Sequence, residues 1–176
     1  FVEVVAALSR GEQATLDGAW GSACALAAAS LAVGKSSPLV VVLPHPRQID
    51  DFCDDFALFT SAPCERFPAW EAEPGEQLLH DEIYGDRLRT LKLLHAAQHN
   101  AGRSPDLPQV IVTSIQSLQQ PVPPPSAVAD NTRVLNQGER IDVDELRKWL
   151  VEHGFHATTA VELPGEFSSR GGIIDV

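Results

Sequence analysis

The sequence predicts an α/β fold in which helices flank a parallel sheet, followed by the first part of a smaller α+β domain. Two runs of apolar residues, Leu39–Leu43 and Val110–Thr113, lack polar alternation, which is typical of strands covered on both faces. Segments with apolar residues at helical spacing surround them. The proline-rich stretch Pro121–Pro125 ends this pattern. We therefore predict two domains, residues 1–121 and residues 122–176.

The chain begins with a predicted helix, strand, loop and helix. Residues 1–8 read as a short amphipathic helix, and Gln13–Leu16 as a strand that enters a glycine turn. Ser22 is a candidate cap for a helix through Ala32, whose alanines permit close approach to a sheet. This order is typical of a β-loop-α unit.

The rest of the first domain alternates helices and strands. A helix with outward-facing acids follows the first buried strand, and Cys64–Phe67 is a plausible short strand. The longest helix covers residues 78–97, and Ser114 begins a short helical turn through Leu118. In the helix that follows the first buried strand, the residues predicted to face the core are Ile49, Phe52, Phe56 and Phe59.

The sequence of the second domain predicts the start of a β-α-β-β unit. Thr132–Leu135 looks like a strand, and Asp142 like the cap of a helix over residues 143–151. Residues 155–161 and 167–176 read as two strands that could pair. The chain stops within an apolar alternation and starts without Met, so we interpret it as a piece of a longer protein.

Composition narrows the classes of function. The 24 acidic and 13 basic residues give a formal net charge of −11, which disfavours a broad nucleic-acid surface. The acidic excess lies in residues 50–86 and is interpreted first as a solvated face and second as a docking surface. Neither a signal peptide nor an apolar run of about eighteen residues is present, which predicts no membrane association and a cytoplasmic location.

Residues 15–25 have the layout of a phosphate-binding loop but lack its chemistry. An intact loop would carry lysine where Cys24 stands, Ser or Thr at Ala25, and glycine at Ala23. Without them the phosphates lack a positive charge and Mg²⁺ lacks a ligand. We predict a strand-turn-helix that merely packs, with nucleotide binding as the alternative. The vestigial loop consists of Gly18, Gly21, Ser22, Ala23, Cys24 and Ala25.

No other constellation predicts catalysis. His80–Glu82 and Asp86 offer an imidazole and carboxylates, but neighbours on a helix point in different directions and no activated nucleophile accompanies them. The cysteines, Cys24, Cys53 and Cys64, have no metal-ligand spacing and are expected to be free thiols. We therefore predict no catalytic residue, no metal and no cofactor in this segment.

Several stretches together resemble one protein family. They are Phe67–Glu71, Asp86–Leu91, Gly138–Ile141 and, above all, Gly165–Asp175. The chain resembles the amino-terminal UvrB-like module of the bacterial transcription-repair coupling factors (Mfd) across nearly its whole length. UvrB is a further relative, but it should carry an intact phosphate-binding loop. The family's proline- and tyrosine-rich segment is replaced here by Ala72–Gln77.

The resemblance implies a function for the parent protein and for this segment. The family members are ATP-driven DNA translocases that remove stalled RNA polymerase and recruit the excision-repair protein UvrA. The first domain would then be a helicase-like fold that has lost ATP, and the second the start of the UvrA-docking domain. RNA polymerase and DNA would bind other domains. The alternative is a fragment of a UvrB-like, nucleotide-dependent repair ATPase.

The residues that we expect to carry partner binding lie near the carboxyl end of the chain. Arg170 is a forked donor in a strand flanked by glycines, which is typical of a binding hot spot. A purely structural interpretation is also open, in which the glycines form turns or bulges and the apolar residues fill the core. The predicted partner-binding set is Arg170, Glu166, Phe167, Gly171 and His156.

Overall fold

The computed structural model describes residues 1–33, 37–70, 81–99 and 109–176, and the side chains of residues 81, 82, 98 and 99 are not considered. The chain divides into two compact units, unit 1 (Phe1–Pro125) and unit 2 (Ser126–Val176). The domain boundary predicted after residue 121 lies in the same proline-rich stretch. Pro125 itself is the first residue of a helix, a position that tolerates a missing N–H group.

Unit 1 is a three-layered α/β unit built on a parallel sheet. The strands have the order β1-β3-β2, and both pairings are parallel, which confirms the predicted fold class. In chain order the elements are α1 Val2–Ser9, α2 Ser22–Ala32, β1 Leu39–Leu43, α3 Gln48–Phe59, β2 Cys64–Phe67, α4 Asp81–His99, β3 Val110–Ser114 and α5 Ile115–Leu118.

One face of the sheet is covered by α2 and α3. The alanines of α2 allow it to lie close to α3 and to the sheet, and the buried members of this core are Ala25, Ala28, Ala29, Ala32, Ile49, Phe52, Cys53, Phe56, Val110 and Val112. Phe59, expected in the α3 stripe, is exposed because it is the last residue of the helix, and Cys53 is buried instead. Ser22 is not the cap of α2, since Gly21 occupies the cap position and no side chain bonds there.

The opposite face of the sheet carries α4 over β2. Thr90 of α4 donates to the carbonyl of Arg66 at 2.9 Å, and Arg89 pairs with Glu65 at 2.7 Å. Val40 and Val42 of β1 project to this same face but remain 52% and 44% exposed. The expectation that β1 is buried on both faces is therefore wrong, because β1 is an edge strand. The central strand β3 is buried at every position.

Two predicted strands are absent from the described residues. Gln13–Leu16 has no strand partner and forms irregular structure before the glycine turn. Thr132–Leu135 is also irregular, since Thr132 turns back to helix α6 (Pro125–Asp130), where its hydroxyl donates to the Val128 carbonyl at 2.7 Å. Both stretches have strand-like composition, but no neighbouring strand is placed to accept their backbone hydrogen bonds.

Unit 2 packs one helix against a small mixed sheet. Its remaining elements are α7 Val143–Glu152, β4 His156–Ala157, β5 Glu166–Arg170 and β6 Ile173–Asp175. The sheet order is β4-β5-β6, with β4 parallel and β6 antiparallel to β5. The predicted strand over residues 167–176 is thus a hairpin, and the predicted strand over residues 155–161 is shorter.

Helix α7 begins and ends as its sequence predicts. The Asp142 carboxylate accepts hydrogen bonds from the backbone of Asp144 and Glu145, at 2.9 and 3.1 Å. Gly154 follows the helix with φ of 84°, a left-handed conformation that favours glycine. Leu146 and Leu150 of α7 pack with Phe167 of β5 to form the core of unit 2.

Candidate functional site

The vestigial loop forms a turn before α2, as predicted, and two of its backbone donors are occupied within the turn. The N–H of Ala23 bonds to the carbonyl of Trp20 at 3.1 Å, and that of Cys24 to Gly21 at 2.9 Å. Cys24 is exposed, whereas Ala25 is fully buried in the core of unit 1. A side chain at position 24 therefore faces solvent, and one at position 25 does not.

A shallow cavity of about 330 Å³ lies beside the vestigial loop. Its wall is mostly apolar, with Leu16, Leu26 and Phe1 among the lining residues, and Asp17 is its only charged side chain among the described residues. The carboxylate repels a polyphosphate, and the apolar wall offers no charge that would neutralise it. The absence of nucleotide binding stays a prediction.

The β5–β6 hairpin places Arg170 at the surface of unit 2. Gly171 has φ of 61°, so the turn needs a residue that tolerates the left-handed region, and a Cβ built there would meet nothing within 4 Å. Arg170 is exposed at the end of β5 and forms no ion pair among the described residues. Its Nη2 group donates to the backbone carbonyl of Thr159. The guanidinium is thus held in one direction, and the part of the chain that the structure describes offers it no second hydrogen bond.

Glu166 organises the loop that precedes β5. Its Oε2 atom accepts hydrogen bonds from the backbone N–H groups of Glu162 and Leu163, at 2.9 and 3.1 Å. These backbone donors, with a smaller contribution from the charge of His156, lower the pKa of the Glu166 carboxyl below its ordinary value. Ser168 adds a hydrogen bond to the Thr159 carbonyl at 3.2 Å. Alternate residues of β5 therefore fix the loop over residues 158–165.

The remaining members of the predicted partner-binding set differ in accessibility. His156 is exposed on β4 and lies opposite Glu166 in the parallel register. Phe167 is only 3% exposed and belongs to the core of unit 2. The structure thus brings His156, Glu166, Arg170 and Gly171 to the surface of one small sheet, whereas the side chain of Phe167 supports that sheet from inside.

A buried arginine that the sequence did not single out organises the Phe67–Trp70 stretch. Arg87 of α4 is 2% exposed, and its Nη1 atom donates to the Pro68 carbonyl at 2.6 Å and to Ser117 Oγ at 2.9 Å. Desolvation lowers the pKa of Arg87 below its ordinary value. Arg87 follows the apolar residue Ile83 by four positions and so lies on the same face of α4. This spacing is the sequence signal that could have indicated its burial.

The side chain of Gln120 completes this network. Its amide accepts from the backbone N–H of Trp70 at 2.7 Å and donates to the Trp70 carbonyl at 3.1 Å. Trp70 also packs against Tyr84, with ring centroids 5.7 Å apart. The Phe-Pro-Ala-Trp stretch that contributes to the family resemblance is therefore fastened to α4 and α5 by polar side chains.

Two further kinds of site considered from the sequence were a metal cluster and the carboxylates that follow His80. No group of three or more His, Cys, Asp or Glu side chains among the described residues could hold a metal ion. Asp86, the carboxylate that follows His80–Glu82 along the chain, pairs with Arg89 at 3.1 Å. His80 and Ala72–Gln77 lie outside the described residues, as do the side chains of the two residues after His80. In the part of the chain that the structure covers, no helix has the length and apolar character to cross a membrane.

Comparison with known proteins shows what unit 2 and the whole chain are similar to. Residues 134–176 match the family model described as the UvrB interaction domain. These residues contain α7 and the whole β4-β5-β6 sheet. Most of unit 2 is therefore similar to the UvrB interaction domain.

The whole chain is similar to segments of the transcription-repair-coupling factors. The chain is 28% identical over 167 residues to the transcription-repair-coupling factor of Escherichia coli K12, which covers 94% of the chain and 14% of that protein. It is 33% identical over 146 residues to the factor of Mycobacterium bovis, covering 82% of the chain and 12% of that protein. The factor of Bacillus subtilis is 26% identical and matches 100% of the chain and 14% of its own length.

The resemblance predicted from the sequence is thereby confirmed. This chain is related to a segment of the transcription-repair-coupling factors and is consistent with an amino-terminal piece of such a protein. It spans between 12 and 14% of the length of these three relatives.

Proposed function

We propose that this chain is a non-catalytic interaction segment that recruits UvrA in transcription-coupled nucleotide excision repair. The observation that carries the proposal is the exposed guanidinium of Arg170, held at the end of an ordered strand inside the region that matches the UvrB interaction domain. An oriented arginine with free donors fits a carboxylate on a protein partner.

The site around Arg170 has the organisation expected of a binding surface. The hydrogen bond to Thr159 and the turn at Gly171 restrict the directions that the guanidinium can take. Less conformational freedom is then lost when a partner binds. Glu166 holds the neighbouring loop, and His156 lies exposed beside it, so both contribute to the shape of the proposed surface.

Unit 1 is proposed to have no enzymatic role of its own. The vestigial loop lacks a lysine, and the cavity beside it is lined by apolar groups and one carboxylate among the described residues. We propose that it binds neither ATP nor Mg²⁺, and that ATP-driven translocation and contacts with RNA polymerase and DNA belong to other parts of the parent protein. The proposed place of action is the cytoplasm.

Titration of the purified chain with UvrA tests this proposal. Replacing Arg170 by Ala should weaken UvrA binding by about 2 kcal/mol or more, the scale of a hot spot. Arg170→Lys should restore only part of the affinity, because a point charge does not reproduce a forked contact. Arg147→Ala, which removes an exposed arginine on α7 of the same unit, is the matched control and should bind normally.

Melting curves separate a binding role from a structural one. Arg170→Ala should melt close to the unsubstituted chain, since the side chain is exposed. Normal UvrA affinity together with a lowered melting temperature would assign Arg170 to the stability of the hairpin. Failure of the unsubstituted chain to bind UvrA at all would contradict the proposed function itself.

A further inference from the structure

Two cysteine sulfurs are in contact inside unit 1. Cys53 lies in the middle of α3, Cys64 is the first residue of β2, and their Sγ atoms are 3.8 Å apart, at hydrogen-bond distance for thiols. Cys53 is 7% exposed, whereas Cys64 is half-buried at the edge of the same core. Both are free thiols in the structure.

We propose that Cys53 and Cys64 are a modification site, at which a peroxide forms a reversible intramolecular disulfide. A disulfide needs a sulfur separation of about 2.05 Å, so the two sulfurs must approach by roughly 1.7 Å. Rotation of the side chains about χ1 moves sulfur atoms over such distances without breaking the helix or the strand. This site is independent of the function proposed for Arg170.

The hydrogen bond between the two thiols favours a single thiolate in the pair. The hydrogen bond between the thiols lowers the pKa of Cys53 and raises the pKa of Cys64, and burial raises the pKa of both. The guanidinium of Arg66 lowers both pKa values, whereas Asp50 and Asp54 oppose it at Cys53. Because the thiolate is the reactive form, Cys53 is the sulfur expected to attack the peroxide.

The reaction balances with one molecule of hydrogen peroxide. The Cys53 thiolate attacks a peroxide oxygen, the O–O bond breaks, and the products are a sulfenic acid and hydroxide. Cys64 sulfur then attacks the sulfenic sulfur, its proton is lost, and water leaves as the S–S bond forms. Two thiols are oxidised, the peroxide is reduced to two waters, and an added dithiol reverses the change.

The disulfide would join α3 to β2. Its two cysteines are 11 residues apart in the sequence. It would lie within the core cluster formed by α2, α3 and the sheet. A cross-link that fits the native structure stabilises it by restricting the unfolded chain. Oxidation should therefore raise the melting temperature of unit 1.

Thiol counting and mass spectrometry on the native chain test the proposal. A Cys24→Ser background removes the exposed cysteine and leaves only the pair. After treatment with hydrogen peroxide and denaturation, this variant should show no free thiol, a mass lower by two hydrogen atoms, and a peptide joining Cys53 to Cys64. Dithiothreitol should restore both thiols and the original melting temperature.

Single replacements provide the matched controls. With Cys53→Ala or Cys64→Ala in the same background, the remaining cysteine should give oxygen adducts or stay reduced, without the loss of two hydrogens. The proposal is wrong if the pair keeps both thiols at peroxide concentrations that fully oxidise Cys24 in the unsubstituted chain. It is also wrong if either sulfur accumulates stable sulfinic acid while its partner stays reduced.

Discussion

The Arg87 guanidinium carbon lies 4.3 Å from the centroid of the Phe67 ring and 4.8 Å from that of Trp70. The cation is therefore placed over two aromatic faces while its N–H groups reach Pro68 and Ser117. No ion pair with Arg87 occurs among the described residues. Aromatic faces and neutral oxygens take the place of a carboxylate, which is an arrangement that desolvated arginine accepts more readily than lysine.

Replacing Arg87 should destabilise unit 1. Arg87→Ala leaves a cavity and removes the donors of buried acceptors, so we expect a loss of about 3 kcal/mol in the free energy of unfolding, measured by chemical denaturation. The matched control is Arg89→Ala on the same helix, whose exposed ion pair with Glu65 should contribute less than about 1 kcal/mol. Equal losses of unfolding free energy for the two variants would show that the buried Arg87 network does not contribute more to stability than an exposed ion pair.

Protonation of Glu166 should loosen the loop over residues 158–165. The folded pKa lies below the ordinary glutamate value of 4.5, so the stabilisation is complete above that value and is lost as the pH falls through the folded pKa. In NMR spectra, the amide signals of Glu162 and Leu163 should titrate in this acidic range.

Two glutamate variants provide the controls for that titration. Glu166→Gln should shift the two amide signals at neutral pH and remove their acidic titration, while Glu152→Gln on α7 should leave both features intact. Titration of these amides around or above the ordinary value would contradict the hydrogen bonds to Glu166.

Phe167 should affect stability before it affects partner binding. Phe167→Ala removes a ring that is 3% exposed in a core shared with Leu146 and Leu150, and should cost about 3 kcal/mol or more in unfolding free energy. Calorimetry of unit 2 measures this loss, with Ile173→Ala, an exposed apolar residue of the same hairpin, as the control. A small loss for Phe167→Ala would place its ring at the surface.

Restoring the missing loop residues should not restore ATP binding. In the Cys24→Lys, Ala25→Thr double variant, the lysine would be exposed but the threonine would be forced into a fully buried alanine site. Inserting this larger, hydroxyl-bearing side chain into the core should lower the free energy of unfolding by about 1–3 kcal/mol. Calorimetric titration with ATP and Mg²⁺ should show no binding to the double variant or to the unsubstituted chain. Micromolar affinity in the unsubstituted chain would instead favour the alternative, a fragment of a UvrB-like ATPase.

Local patterns predict the individual helices of the chain well. The α3 stripe of Ile49, Phe52 and Phe56 and the Asp142 cap of α7 are readable, because helical hydrogen bonds close within one turn of chain. The turn at Gly171 was only the alternative interpretation, since the predicted strand over residues 167–176 ran through it. The motif in residues 165–175 likewise indicates the family from its residues alone.

Long-range packing selected which of these patterns became strands, core or surface. Gln13–Leu16 and Thr132–Leu135 have strand-like composition but no partner strand, and β1 became an edge with Val40 and Val42 half exposed. Arg87 became the buried centre of a network, and the groups that accept its hydrogen bonds are 19 to 34 residues away in the chain.

Strand pairing and the burial of a charge depend on groups that are distant in sequence, so no local pattern contains them. The order of residues was enough to predict the α/β class, the missing phosphate-loop chemistry and the family. Only the packed chain shows that Phe167 is core, that Arg170 is exposed, and that the sulfurs of Cys53 and Cys64 meet, because each of these depends on side chains from separate elements.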